Sequence, residues 1–136
     1  MSYSNDQTLE NMIKGWTRID MLLALYDRAI TAVRLASRAQ VANNQPLMQQ
    51  QVFESHKLIL ALHSGLEIDE SEIAQNVARL LSFIVLRIEQ QHFDEAAHFL
   101  EKLHSSFSSI REEAASLESI GEISPLQELN VYDSVV

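Results

Sequence analysis

The chain has 136 residues and a formal net charge of −9, and its length suits one domain built around a single hydrophobic core. The negative charge repels phosphate groups, so neither nucleic acid nor an anionic membrane surface is expected as a partner. The chain has no Cys, which excludes disulfides, thiolate metal sites and cysteine nucleophiles and suits a reducing cytoplasm. With only 3 Gly and 2 Pro, turns are few and long helices are favoured.

The first predicted helix covers about residues 17–41. Thr17 and Asp20 have the spacing of a capping box, in which a hydroxyl accepts from an otherwise unpaired amide. The apolar residues that follow recur at spacings of three and four and so share one face: Leu22, Leu25, Tyr26, Ala29, Val33 and Ala36. Pro46 disfavours helix in the residue before it, which predicts a break at residues 42–46.

Three further segments show the same periodicity. The second covers about residues 47–66, and its apolar stripe is Val52, Ile59, Leu62 and Leu66. The third begins near Ser71 or Glu72, with the stripe Ile73, Val77, Leu80, Leu81, Ile84 and Ile88. The fourth begins near Asp94 and has the most regular spacing, in Ala96, Leu100, Leu103, Phe107, Ile110, Ala114 and Leu117.

The connections between these helices are short, and short connections join neighbours that run in opposite directions. The predicted fold is therefore all-α: an antiparallel up-down-up-down four-helix bundle over residues 17–118, with a short N-terminal helical segment. Residues 1–16 are predicted to form a mobile segment with weak amphipathic character, and residues 119–136 a C-terminal tail. No apolar run approaches the roughly 20 residues of a membrane span.

The apolar side chains outnumber those that four simple stripes require, since a bundle helix needs only about three apolar positions in seven. The surplus positions are Met21, Leu23, Ile30, Leu35, Phe53, Leu58, Leu60, Ala78, Phe83, Val85 and Leu86. Of these, Leu58 is expected to face away from the stripe of its helix. The surplus can widen a core covered by the protein's own ends, or it can form a groove for a partner helix.

Two motifs raise alternative functions. Glu-x-x-His occurs three times near the fourth helix, in the pairs Glu89–His92, Glu95–His98 and Glu101–His104. This pattern binds metal in di-iron bundles, but there it comes from two helices, and here Glu95, His98 and Glu101 are expected on the solvent face. His56 and His63 on the second stripe leave a histidine phosphotransfer module open, although neither is followed by the Lys-Gly pair expected there. We predict no metal, no cofactor and no catalytic residue, and a metal-carboxylate bundle enzyme stays the first alternative.

The residues also resemble a known family. Residues 17–30, TRIDMLLALYDRAI, are similar to the opening helix of the flagellar secretion chaperone FliS family, which has a hydroxyl residue, Pro, any residue, Glu, an apolar run and Leu-Tyr-Asp-Gly-Ala. Residues 62–66 resemble its Leu-x-x-Ser-Leu helix end, and residues 72–77 its Gly-Glu-Ile-Ala-x-Asn-Leu helix start. Arg18 and Arg28 depart from the family's Pro and Gly.

The resemblance implies a non-enzymatic cytoplasmic export chaperone that binds the disordered C-terminal segment of flagellin, prevents its premature polymerisation and assists its secretion. It would act as a monomer or homodimer, with no nucleic-acid or membrane partner. The family motifs carry over partner-binding roles to Tyr26, Asp27 and Asn76. Helical geometry adds Leu23, Ile30, Phe83 and Leu86 as partner-binding candidates. By the same resemblance a self-capping segment would use Tyr3, Leu9, Met12, Ile13 and Trp16.

Overall fold

The computed structural model describes residues 18–66 and 71–119, and within those residues the chain forms four helices and no strand. Helix α1 spans Arg18–Val41, α2 Gln45–Ser64, α3 Glu72–Glu89 and α4 Phe93–Ser119. Each helix packs against two others in a closed ring, with α1 next to α2 and α4 and with α3 opposite α1. Consecutive helices run antiparallel because their connections are short. The predicted all-α four-helix bundle is confirmed.

The division into residues 1–16, 17–118 and 119–136 stays a prediction. Residues 1–17 and 120–136 lie outside the described residues, and with them the predicted N-terminal helical segment and nearly all of the predicted tail. The helix bounds are close to those predicted, and the largest shift is in α2. Proline was expected to delay this helix, but Pro46 lies in its first turn, where the missing amide hydrogen has no helical partner to lose.

Short polar side chains cap the starts of two helices, and residues in the left-handed conformation follow the ends of two helices. The Asn44 side chain accepts a hydrogen bond from the Leu47 amide at 3.2 Å, and the Ser71 hydroxyl accepts one from the Ala74 amide at 3.1 Å. These bonds satisfy amides that the first turn of a helix leaves unpaired. At the far ends of α1 and α3, Asn43 and Gln91 have φ values of 55° and 62°. The left-handed residue turns the chain back towards the bundle at both places.

The left-handed glutamine gives a stability prediction. A residue with a Cβ in this conformation costs roughly 1 kcal/mol, which glycine avoids. Gln91→Gly is therefore expected to raise the free energy of unfolding by about 0.5–1 kcal/mol, measured by urea denaturation. The matched control is Gln90→Gly, because Gln90 has φ −81° and glycine there adds freedom to the unfolded chain without relieving strain. Each substitution also removes one exposed side-chain hydrogen bond, from Gln40 to Gln91 or from Arg87 to Gln90. Equal effects of the two substitutions would contradict the proposed origin of the gain.

The core fills the centre of the ring with apolar residues from all four helices. The largest side chains that are fully buried include Tyr26, Phe93 and Phe107. The rings of Tyr26 and Phe107 stack with centroids 5.5 Å apart and an interplanar angle of 26°, so one aromatic pair ties α1 to α4. Most of the predicted stripe positions are buried, and Leu25, Val52, Ile73, Leu80 and Ile110 are half-buried at the edges of the core.

The prediction that Leu58 faces away from the core was wrong, because Leu58 is only 5% exposed. The reason lies in α1, which presents a row of small buried residues, Ala29, Ala32, Ala36 and Ala39. Small side chains allow two helices to approach closely, and α1 makes its most extensive helix contacts with α2. This close approach widens the buried face of α2 beyond its apolar stripe and covers Leu58.

Candidate functional site

A cleft lies between α2 and α3, with a volume of about 360 Å³. We call it the α2–α3 groove and define it by the residues that line it: His56, Ile59, Leu60, His63, Leu81, Ser82 and Val85. The two helices contact each other far less extensively than α1 and α2 do. Branched side chains occupy this seam instead of alanines, so the helices are held further apart. The outcome is an open trough with a largely apolar floor.

Apolar side chains are also exposed beside the groove. Leu60 is 65% exposed at its edge, Phe53 is 66% exposed two turns earlier on α2, and Leu86 is 48% exposed one turn beyond Ser82 on α3. Single exposed apolar residues are common on protein surfaces, but a set of them around an apolar cleft is typical of a binding surface. Their spacing along two antiparallel helices suits an elongated partner such as a helix.

The predicted partner-binding residues on α1 lie away from this groove. Tyr26 is fully buried, and Leu23 and Ile30 are half-buried against the core. Asp27 is exposed, and its carboxylate is 3.0 Å from Nε2 of His104 on α4. The structure therefore places these four side chains in the core or at the α1–α4 seam, and their role in binding stays a prediction.

The predicted residues on α3 divide between two sides of that helix. Phe83 packs edge-on against Phe99 of α4 with centroids 5.5 Å apart, and the guanidinium of Arg87 lies over its ring at 4.9 Å. Asn76 is exposed and accepts a hydrogen bond from Arg79 at 3.0 Å. Phe83 thus packs in the seam between α3 and α4. Of the predicted partner-binding residues, only Leu86 lies near the α2–α3 groove. The predicted self-capping residues lie outside the described residues.

Sequence reasoning named Leu60 and Val85 only among the surplus apolar positions, and it selected neither of them, nor His56 or His63, as a partner-binding residue. His56, Leu60 and His63 follow one another at spacings of four and three, which places them on one flank of α2. The two histidines had raised the phosphotransfer alternative, whereas in the structure both are half-buried in the groove wall. The spacing of these residues in the sequence indicates that they share a flank of α2. It does not indicate that no other helix covers this flank.

The two helices that form the groove carry no net charge. Helix α2 has one acidic and one basic residue and α3 has two of each, so both are formally neutral, whereas α4 has six acidic residues and two basic ones. A neutral apolar surface binds through burial of apolar area and imposes no strong long-range charge preference.

The two glutamates of the Glu-x-x-His motifs on α4 form ion pairs with arginines of neighbouring helices. Glu95 lies 3.4 Å from the guanidinium of Arg87 on α3, and Glu101 pairs with Arg34 on α1. Both acids are half-buried at helix seams, so the expectation that they lie on the solvent face was only partly met. Across the part of the chain that the structure describes, no group of three or more His, Asp and Glu side chains is placed to hold a metal ion.

Four antiparallel helices with an open apolar groove between two of them define a small helical bundle. A family model described as Flagellar protein FliS matches residues 1–115, and the chain belongs to that family. Membership supports a flagellar chaperone role. No curated protein and no solved structure matches the chain. None of the helices in residues 18–66 and 71–119 is long and apolar enough to cross a membrane.

Proposed function

We propose that this protein binds the disordered C-terminal segment of flagellin in the cytoplasm and holds it as a helix in the α2–α3 groove. While it lies in the groove, the segment cannot take part in polymerisation, and it is released when the subunit is exported. The observation that carries the proposal is the groove itself, about 360 Å³ in volume and bordered by the exposed Leu60. Binding is stoichiometric and uses no cofactor and no catalytic step.

The energetics favour a groove of this kind for a disordered client. Ordering a disordered segment costs on the order of 2–5 kcal/mol or more. Fully burying a leucine or phenylalanine side chain contributes about 1.5–3 kcal/mol, and Phe53, Leu60 and Leu86 each have roughly half to two-thirds of their surface still to bury. The apolar side chains of the client add a similar contribution. Together they offset the ordering cost, which a single small contact would not.

The amphipathic N-terminal segment is part of this proposal. Tyr3, Leu9, Met12, Ile13 and Trp16 supply the apolar side chains that a groove-covering segment needs. The segment would shield the groove from water and be displaced when flagellin binds. Deleting residues 1–16 is then expected to leave the bundle folded and to strengthen client binding.

A peptide titration tests the proposed function. A synthetic peptide that covers the C-terminal segment of flagellin from the same organism should bind the full chain one to one in calorimetry. It should also gain helical circular dichroism, because the groove stabilises a helix that is marginal alone in water. A scrambled peptide of the same composition is the control. If the native peptide does not saturate the protein, or binds no better than the scrambled one, the proposal fails.

A further inference from the structure

We infer that His56 makes partner binding in the α2–α3 groove depend on pH: the groove binds its partner while this imidazole is neutral and releases it once the imidazole is protonated. This inference rests on the proposed function and adds a means of regulation to the same site. Three features carry it: the position of His56 in the groove, a ring nitrogen that no described residue hydrogen-bonds, and a described lining without an acid.

His56 lies in the wall of the groove, one helical turn before the exposed Leu60. Its ring is half-buried, and its Nε2 atom is buried without a hydrogen-bond partner among the described residues. A neutral imidazole has one donor and one acceptor nitrogen, whereas a protonated imidazole donates at both. Protonation therefore puts a charged N–H at a buried position without an acceptor, which costs more than leaving a neutral nitrogen unpaired.

The described lining of the groove offers no carboxylate that would offset this charge. It consists of apolar residues, the Ser82 hydroxyl and a second imidazole, His63. A charge on His63 would oppose one on His56, because like charges disfavour each other. His63 itself lies in the last turn of α2, where the helix dipole favours a cation. His56 is therefore the imidazole of the groove whose protonation is less well tolerated.

The charged residues next to His56 along α2, and the acids of α1, have other partners. Glu54 lies 3.2 Å from the ammonium of Lys57 and 3.3 Å from the guanidinium of Arg28 on α1. Both acids of α1 pair with basic residues of α4: Asp20 and Asp27. None of these groups belongs to the lining of the groove.

Helix α3, which forms the other wall, adds no acid opposite this imidazole. Its two acids are its first and last residues, Glu72 and Glu89. Of its two arginines, Arg79 is exposed and Arg87 pairs with Glu95 of α4. None of these four charged residues lines the groove. An imidazolium in the groove wall thus has no acid to pair with on α1 or α3.

A bound helix strengthens this preference for the neutral ring. Covering the groove removes water from the half-buried imidazole, and desolvation disfavours its charged form. A partner that meets a protonated His56 must therefore displace the proton in order to bind. Affinity is highest at a pH where the free protein already holds His56 neutral. It falls as the pH decreases through the range of roughly 5–8 in which imidazoles ordinarily gain their charge.

Titration of the full chain with the synthetic flagellin peptide at two pH values tests the inference. From about pH 7.5 to about pH 5.5 the affinity of the wild type is expected to fall roughly tenfold, because one linked proton changes affinity by at most about tenfold per pH unit. His56→Gln has no charge to gain, and its two affinities should agree within about twofold. Circular dichroism at both pH values verifies that the proteins remain folded.

Two further histidine variants are the controls. His98→Gln changes an exposed histidine of α4 that does not line the groove, and it should keep the full pH dependence of the wild type. His63→Gln changes the second imidazole of the groove and should keep most of it. Loss of the pH dependence in either control, or its persistence in His56→Gln, would contradict the role given to His56.

Proton counting gives an independent measurement. Calorimetry at about pH 6.5 in two buffers of different ionisation enthalpy measures the protons released for each peptide bound, and the wild type should release about half a proton more than His56→Gln. Equal release by the two proteins overturns the inference. So does tighter binding at acid pH, which an acid of the peptide facing His56 would cause. Saturable binding at about pH 7.5 would still leave the proposed function standing, and its absence would remove both.

Discussion

Replacing Leu60 with Glu is expected to weaken binding of the flagellin segment by about 30-fold or more, which corresponds to roughly 2 kcal/mol. Leu60 is 65% exposed at the edge of the α2–α3 groove, so the bundle gains little from it while the partner would bury it. Fully burying a leucine contributes about 1.5–3 kcal/mol, and a carboxylate covered by an apolar helix adds a desolvation penalty. Glutamate is a good helix former, so α2 itself should persist.

The matched control for this prediction is Leu47→Glu. Leu47 is also a partly exposed leucine on α2, at 37%, but it lies in the first turn and does not line the groove. An acid in the first turn suits the helix dipole, and affinity should change less than twofold. Calorimetric titration of the two variants and of the wild type with the same peptide gives the comparison. Normal binding by Leu60→Glu would show that the groove is not the site.

Replacing Phe107 with Ala is expected to lower the free energy of unfolding by about 3–5 kcal/mol. Phe107 is fully buried and stacks on Tyr26, so the substitution leaves a cavity and removes the aromatic contact between α4 and α1. Domains of this size are stable by only about 5–15 kcal/mol, and the loss is a large share of that total. Phe107→Leu keeps most of the volume and should cost less.

Phe53→Ala is the control, because Phe53 is 66% exposed and its loss from the surface should cost less than about 1 kcal/mol. Urea denaturation followed by circular dichroism measures all three variants. The two alanine substitutions are expected to separate stability from binding, since Phe53→Ala should weaken the peptide complex while leaving the bundle stable. A similar loss of stability for both would contradict the assigned positions of the two rings.

Periodicity and spacing predicted much of the fold. The spacings of three and four in α1 placed Tyr26, Ala29 and Val33 on one face, and all three are fully buried. Short breaks between four amphipathic segments predicted antiparallel neighbours. The break predicted at residues 42–46 does separate α1 from α2, but it is shorter than predicted, because Pro46 lies inside the first turn of α2. The ordered resemblance of residues 17–30, 62–66 and 72–77 indicated the family that the family model also identifies.

The candidate site was predicted less well, for a physical reason. Periodicity gives the angle of a side chain around its own helix but not the neighbour that lies at that angle. Phe83 had the position of a groove residue, yet α4 lies beside it and Phe99 packs against it. Leu60 had a similar position on α2, and it remains exposed because α3 lies further from α2 there. Leu58 was misplaced because α1 approaches α2 so closely.

For this protein, local sequence determined what each segment does alone: where the helices begin and end, which face of each is apolar, and that neighbours run antiparallel. These properties depend on hydrogen bonding and side-chain spacing over a few residues. The tertiary structure decided which apolar faces are covered. The small alanines of α1 allow α2 to pack closely against it, whereas bulkier side chains between α2 and α3 hold these two helices further apart. The groove is a product of these unequal separations, which depend on residues distant in sequence.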